Sequence, residues 1–126
     1  MTRTAPPEER DPATLLPLTP AVLCILLALA DGEKHGYAIM QAAAAGEGAP
    51  MGPGTLYGSL DRLLRARLVA ESDGPDDTGG HAGRRRYYRL TDFGLRVLQA
   101  EVRRLEQTLV LARRKKLTAR AGGVAS

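Results

Sequence analysis

Tryptophan is missing from the 126 residues, phenylalanine occurs once, and aromatic residues total 4%. An aromatic-lined cofactor pocket is therefore not expected, and the core falls to Leu, Val, Ile and Ala, a mix that favours helices packed on helices. The single cysteine, Cys24, excludes an intramolecular disulfide and any metal site built on paired cysteines, which suits a reducing compartment. On its apolar segment Cys24 reads as a small core residue rather than a redox sensor. No apolar run approaches the roughly 18 residues of a membrane span, and the chain does not open with the basic start and apolar stretch of a signal peptide. A cytoplasmic protein with no membrane partner is the expectation. Neither His35 nor His81 stands in a metal-ligand spacing, and no phosphate-cradling glycine loop, nucleophile elbow or pair of catalytic carboxylates is present. The sequence thus predicts no cofactor, no metal and no enzymatic activity.

What is present is positive charge, unevenly placed. The formal net charge is +4, and before Leu60 the only Lys or Arg residues are Arg3, Arg10 and Lys34. The basic groups gather in the second half, which makes a polyanion a plausible partner.

Local patterning divides the chain into an arm at 1–17, a compact domain at 18–91, a long helix at 92–117 and a disordered tail at 118–126. The arm is rich in proline and mixed charge without apolar periodicity, and is expected to be mobile, with Leu15 and Leu16 docking locally. Thr19-Pro20 is a hydroxyl cap before a first-turn proline, and Val22 to Ala30 is apolar almost all round, predicting a buried helix that ends at Asp31-Gly32. A second helix runs from about Tyr37 to Ala45. A third begins at Pro53, with Leu56, Leu60, Leu63 and Leu64 on one face. Its other face carries Gly54, Gly58, Asp61, Arg62 and Arg65, flanked by Thr55, Ser59 and Tyr57. Leu68 to Ser72 and Arg86 to Leu90 read as strands joined by a loop rich in Gly and Asp, in which His81 is solvated. Tyr88 is expected to face inward with Leu90. Thr91 caps a final helix in which Leu95, Leu98, Val102, Leu105, Leu109 and Ala112 step by three, four, three, four and three. Such a heptad stripe asks for an apolar partner along its length.

Three helices, a basic hairpin and a long helix make a mainly α fold with a small β-hairpin: a winged helix-turn-helix plus a C-terminal dimerisation helix. In that order of elements the third helix enters the major groove of duplex DNA. Gly54 and Gly58 let its backbone approach phosphates, Thr55, Tyr57 and Ser59 can donate to phosphate oxygens, and Arg62 and Arg65 can reach phosphates or guanine edges. Arg84, Arg85 and Arg86, at the returning edge of the hairpin, would lie on the backbone or minor groove. The alternative reading is a helical protein-interaction adaptor whose basic face is incidental. A non-specific RNA binder is a weaker third, disfavoured by the shortage of stacking aromatics.

Several short motifs in order then resemble the PadR family of bacterial regulators: Ile25-Leu26-Leu27-Ala28-Leu29, His35-Gly36-Tyr37, Gly54-Thr55-Leu56-Tyr57, Arg62-Leu63, and Arg86-Tyr87-Tyr88-Arg89-Leu90-Thr91 with Gly94. The resemblance spans about Pro20 to Leu117. It implies a short-tailed member whose one C-terminal helix mediates homodimerisation, whose third helix with Tyr57 contacts an inverted-repeat operator, and which acts as a repressor released by a small aromatic or amphipathic inducer. Two positions depart from the family pattern. Arg67 stands where a glycine tends to end the recognition helix, and the tryptophan with which some multidrug-sensing relatives sandwich flat ligands is missing.

Overall fold

A computed structural model describes residues 10–45, 51–73 and 86–119. The expectations for the first nine residues, for most of the hairpin loop with His81, Arg84 and Arg85, and for the tail from residue 120 onward fall outside them.

Helix α1 (Pro20–Leu29) starts where the threonine–proline pair predicts: the Thr19 side chain accepts a hydrogen bond from the Val22 amide, and Pro20 occupies the first turn. It buries Ile25, Leu26, Ala28 and Leu29, but Leu27 is 49% exposed. The expectation of a helix buried all round is therefore corrected, because one apolar edge of α1 lies outside the core. The chain leaves α1 through Gly32, whose φ of 143° suits glycine, and enters a two-residue strand, β1 (Lys34–His35). Helix α2 (Gly36–Ala45) follows directly, with the His35 Nδ1 accepting from the Ala38 amide at 3.2 Å. His35 thus serves as a helix cap.

Helix α3 (Pro53–Arg65) buries Leu56, Ser59, Leu60 and Leu63. It ends in a Schellman turn: the Leu68 amide donates to the Leu63 carbonyl at 3.0 Å and the Arg67 amide to that of Leu64 at 3.1 Å. The left-handed position of that turn belongs to Arg67, with φ of 66°. A non-glycine residue there costs about 1–2 kcal/mol, so the turn closes in left-handed geometry with Arg67 where a glycine is expected.

Strands β2 (Val69–Ser72) and β3 (Tyr87–Leu90) form the hairpin, and β1 pairs on the other side of β3, giving an antiparallel sheet of order β1-β3-β2. Tyr88, opposite Glu71 and Lys34, is buried as the alternation predicts, while Tyr87 meets the His35 ring edge-on at 5.5 Å. Thr91 then joins two helices. Its Oγ1 accepts from the Gly94 amide, capping helix α4 (Asp92–Arg114), and donates to the Arg67 carbonyl at 2.6 Å, while its amide donates to the Leu68 carbonyl at 3.1 Å.

The first turns of α4 complete the core with Phe93, Val97 and Leu98. From Val102 onward the helix projects, with only Arg104 and Ala112 half-buried before it ends. The 23 residues of α4 correspond to about 34 Å of helix.

The N-terminal segment is not a free arm from Arg10 on. A single 3-10 turn (Pro12–Leu15) lies on α4, and Leu15, Leu16 and Leu18 pack against the core. Its anchor is Glu101, a carboxylate buried on α4 that accepts from the Leu18 amide at 3.0 Å and from Arg104 Nε at 2.6 Å. The Arg104 guanidinium holds the Glu101 carboxyl below its ordinary 4.5, against the opposing effect of burial and with help from the Leu18 amide. A lowered folded-state pKa contributes stability that is complete above the unfolded value and lost as pH falls through the folded one. Glu101→Gln should therefore destabilise by about 1–3 kcal/mol near neutrality. The gap to wild type should shrink below pH 4.5, as urea unfolding at pH 7 and at pH 3.5 would reveal. An equal gap at both pH values would rule out the ion pair as its source.

Candidate nucleic-acid interface

Helix α3 is amphipathic because its leucines recur on one face and its small and cationic residues on the other. With Leu56, Leu60 and Leu63 held against α1 and the sheet, Gly54, Thr55, Tyr57, Arg62 and Arg65 are exposed and Gly58 is half-buried. Ser59 departs from this pattern. It is 1% exposed, its hydroxyl within 3.3 Å of Arg62 Nη2, so it belongs to the packed side and cannot reach a phosphate. Helical spacing sets Ser59 on the flank of the outward face, where a hydroxyl is counted as outward although it fits between leucines.

Two glycines of this helix have no internal reason to be glycine. A Cβ at Gly54 would meet nothing within 4 Å, and one at Gly58 only the Arg62 guanidinium at 3.9 Å. The first turn also lacks a side-chain cap, since its N-cap is Gly52. Its leading amides therefore carry no partner from a capping side chain, and the helix dipole adds partial positive charge there.

Asp61 engages Arg65 at 2.7 Å across one turn, both side chains more than half exposed. An exposed pair of this kind is worth under about 1 kcal/mol and gives way readily to a stronger anion. Arg86, just before β3, lies 3.8 Å from Glu71 on β2. The Tyr88 phenol, on β3, is buried in the core. Burial pushes it above its usual value while the Arg86 guanidinium opposes, and Tyr57 is close enough to act on it too. Arg84 and Arg85 lie outside the described residues.

Sequence reasoning missed what seats Tyr57. A Cβ on Gly36 would come within 2.8 Å of the Tyr57 Cζ, so the bare backbone at the start of α2 is the floor under that ring. The adjacency of His35-Gly36-Tyr37 carries no hint of this contact, which joins residues far apart in the chain.

Of the expected dimerisation residues, Leu95, Val102, Leu105 and Leu109 are 38–41% exposed and Ala112 is half-buried. Leu98 is 4% exposed and belongs to the chain's own core, a correction to the stripe. Among the described residues no group of three or more His, Cys, Asp or Glu could hold a metal ion, and no helix is long and apolar enough to cross a membrane.

Comparison with known proteins agrees with this architecture. The model of the transcriptional regulator PadR-like family matches residues 25–100. An uncharacterised 37.1 kDa protein in transposon TN4556 of Streptomyces fradiae is 41% identical over 81 residues, 64% of this chain and 21% of that protein. The chain thus spans about a fifth of that relative's length. A PadR family transcription regulator from Clostridium difficile superposes with a TM-score of 0.66 at 22% identity, covering 76% of this chain and 97% of that one. Bacillus subtilis PadR, solved in complex with operator DNA, gives 0.56 at 23% identity over 64% of this chain and 45% of that one. H. salinarum RosR gives 0.57 at 29% identity, over 82% and 89%.

Proposed function

Because the chain belongs to the PadR-like family of transcriptional regulators, and so is a DNA-binding regulator on a winged-helix fold rather than an enzyme, we propose that it binds an inverted-repeat operator as a homodimer and represses the adjoining gene. The observation that carries this reading is the outer face of α3, where Gly54, Thr55, Tyr57, Arg62 and Arg65 are exposed on a helix otherwise locked into the core.

In this reading α3 lies in the major groove. Its leading amides and the Thr55 and Tyr57 hydroxyls bind phosphate oxygens, Gly54 and Gly58 let the backbone come close, and Arg62 and Arg65 reach phosphates or guanine edges. Arg84, Arg85 and Arg86 of the hairpin lie along the adjacent backbone or minor groove. Leu95, Val102, Leu105, Leu109 and Ala112 form the seam with a second copy, which places two α3 helices on one side of the duplex, one helical turn apart. The exposed Leu27 edge of α1 and the α4 seam then border a cleft suited to a small aromatic or amphipathic inducer. The lack of tryptophan disfavours a stacked flat ligand there.

A mobility-shift titration on the chain's own promoter tests the reading. Affinity should fall steeply with salt, by about 0.9 log units per log unit of salt for each phosphate neutralised. Arg62→Ala and Arg65→Ala should each lower that slope by about 0.9 while leaving the protein's mass in sedimentation unchanged. A flat salt response, or slopes equal to wild type in both variants, would overturn the assignment of α3. In the same assay, phenolic acids and hydrophobic cations should release the bound duplex if the cleft serves induction.

A further inference from the structure

One contact ties the N-terminal segment to the reading helix itself. Arg10 Nη2 donates to the carbonyl of Ala66, the residue that closes α3, and its Cζ stands 4.3 Å from the centroid of Phe93 in the first turn of α4. Its Nε is buried and finds no acceptor among the described residues. A cation at a helix C-terminus satisfies a carbonyl that has no partner within the helix and sits favourably in the dipole. Over an aromatic face it gains a second attraction. Eight residues further along the segment, the Leu18 amide holds Glu101, so the strap grips α4 at two levels and α3 at its last turn.

Beside the core that both helices share, the end of α3 and the start of α4 are tied by a polar cluster, in which Thr91 binds the Arg67 and Leu68 carbonyls and Gly94 abuts Leu68. Apolar packing holds the two helices together with little directional preference, and a second directional attachment, on a different residue of each, narrows the angle between them. We propose that Arg10 is a positioning residue for operator recognition: it sets the angle between the reading helix and the pairing helix, and so the distance between the two α3 helices of a dimer. This rests on the dimer reading above. Within one protomer the reading surface is intact without Arg10, so a single half-site should not sense its loss. Two half-sites at fixed spacing should.

The test uses the full-length protein and two probes, the inverted-repeat duplex it enriches from a random DNA pool and the same duplex with one half-site scrambled. Arg10→Ala should weaken binding to the full repeat at least tenfold and change binding to the single half-site less than twofold, with Tm and sedimenting mass close to wild type. Arg10→Lys keeps a donor for Ala66 and a cation over Phe93, and should recover most of the loss. Equal weakening on both probes, or no weakening on the full repeat, overturns the proposal while wild type still prefers the repeat. If wild type binds both probes alike, the two-half-site reading fails, and the role of Arg10 with it.

Discussion

Gly94→Ala should unfold the protein at a temperature about 15 °C below wild type, from a loss of about 3 kcal/mol. A Cβ at this position would overlap the carbonyl oxygen of Leu68 and stand 2.9 Å from its carbonyl carbon. The obstacle is backbone, so no side-chain rotation relieves it. That carbonyl also accepts the Thr91 amide, and Leu68 is buried in the core, so retreat would break the cap of α4 and the Schellman turn of α3 together. The internal control is the same substitution at Gly54, where a Cβ meets nothing within 4 Å. It should be neutral or slightly stabilising, since alanine is the better helix former. Thermal unfolding of the two variants decides the matter: a Gly94→Ala protein that melts within a few degrees of wild type would mean that the α3–α4 junction is looser than its geometry states.

How much of this was legible in the sequence depends on the range of each interaction. Thr19-Pro20, Pro53 and Thr91 mark helix starts because a cap acts within three residues, and the structure begins α1, α3 and α4 at those signals. Each strand starts one residue later than expected, and Leu68 and Arg86 flank the ladder without joining it. What escaped is long-range. Strand β1 is two residues long, too short for alternation to show, and its partner Tyr88 stands more than fifty positions downstream of Lys34. The segment from Arg10 to Leu18 has no periodicity, yet it is held by Ala66 and Glu101, at separations of 56 and 83 residues.

The functional faces divide in the same way. Periodicity finds an apolar stripe but does not say what covers it, so Leu98 went to the dimer seam although its own α1 side of the core takes it. Polarity sends a serine outward, and Ser59 lies inward because a small hydroxyl fits between leucines with Arg62 beside it. The exposed arginines of α3 were readable because nothing apolar competes for their side of the helix. The seat of Tyr57 on Gly36 was not, since it depends on how α2 and α3 cross.

Leu105→Glu should separate the proposed dimer without disturbing the domain. In the single chain this side chain is 38% exposed on the projecting part of α4, beyond the last core residue, Glu101. Substitution there should change the protomer's own stability by about 0.5 kcal/mol or less. In the paired state it would bury a carboxylate in an apolar seam, and two-fold symmetry introduces it twice on facing helices. A dimer dissociation constant raised at least a hundredfold, about 2.7 kcal/mol, is the expected result in sedimentation equilibrium at micromolar protein. Affinity for an inverted-repeat duplex should fall in step while a single half-site is bound as before, because the reading face of α3 is untouched. A variant that keeps the mass of wild type would remove Leu105 from the seam. A wild-type protein that sediments as a monomer would instead turn the stripe toward a different protein, since Val102, Leu105 and Leu109 stand exposed on the part of α4 beyond its last buried residue, Glu101.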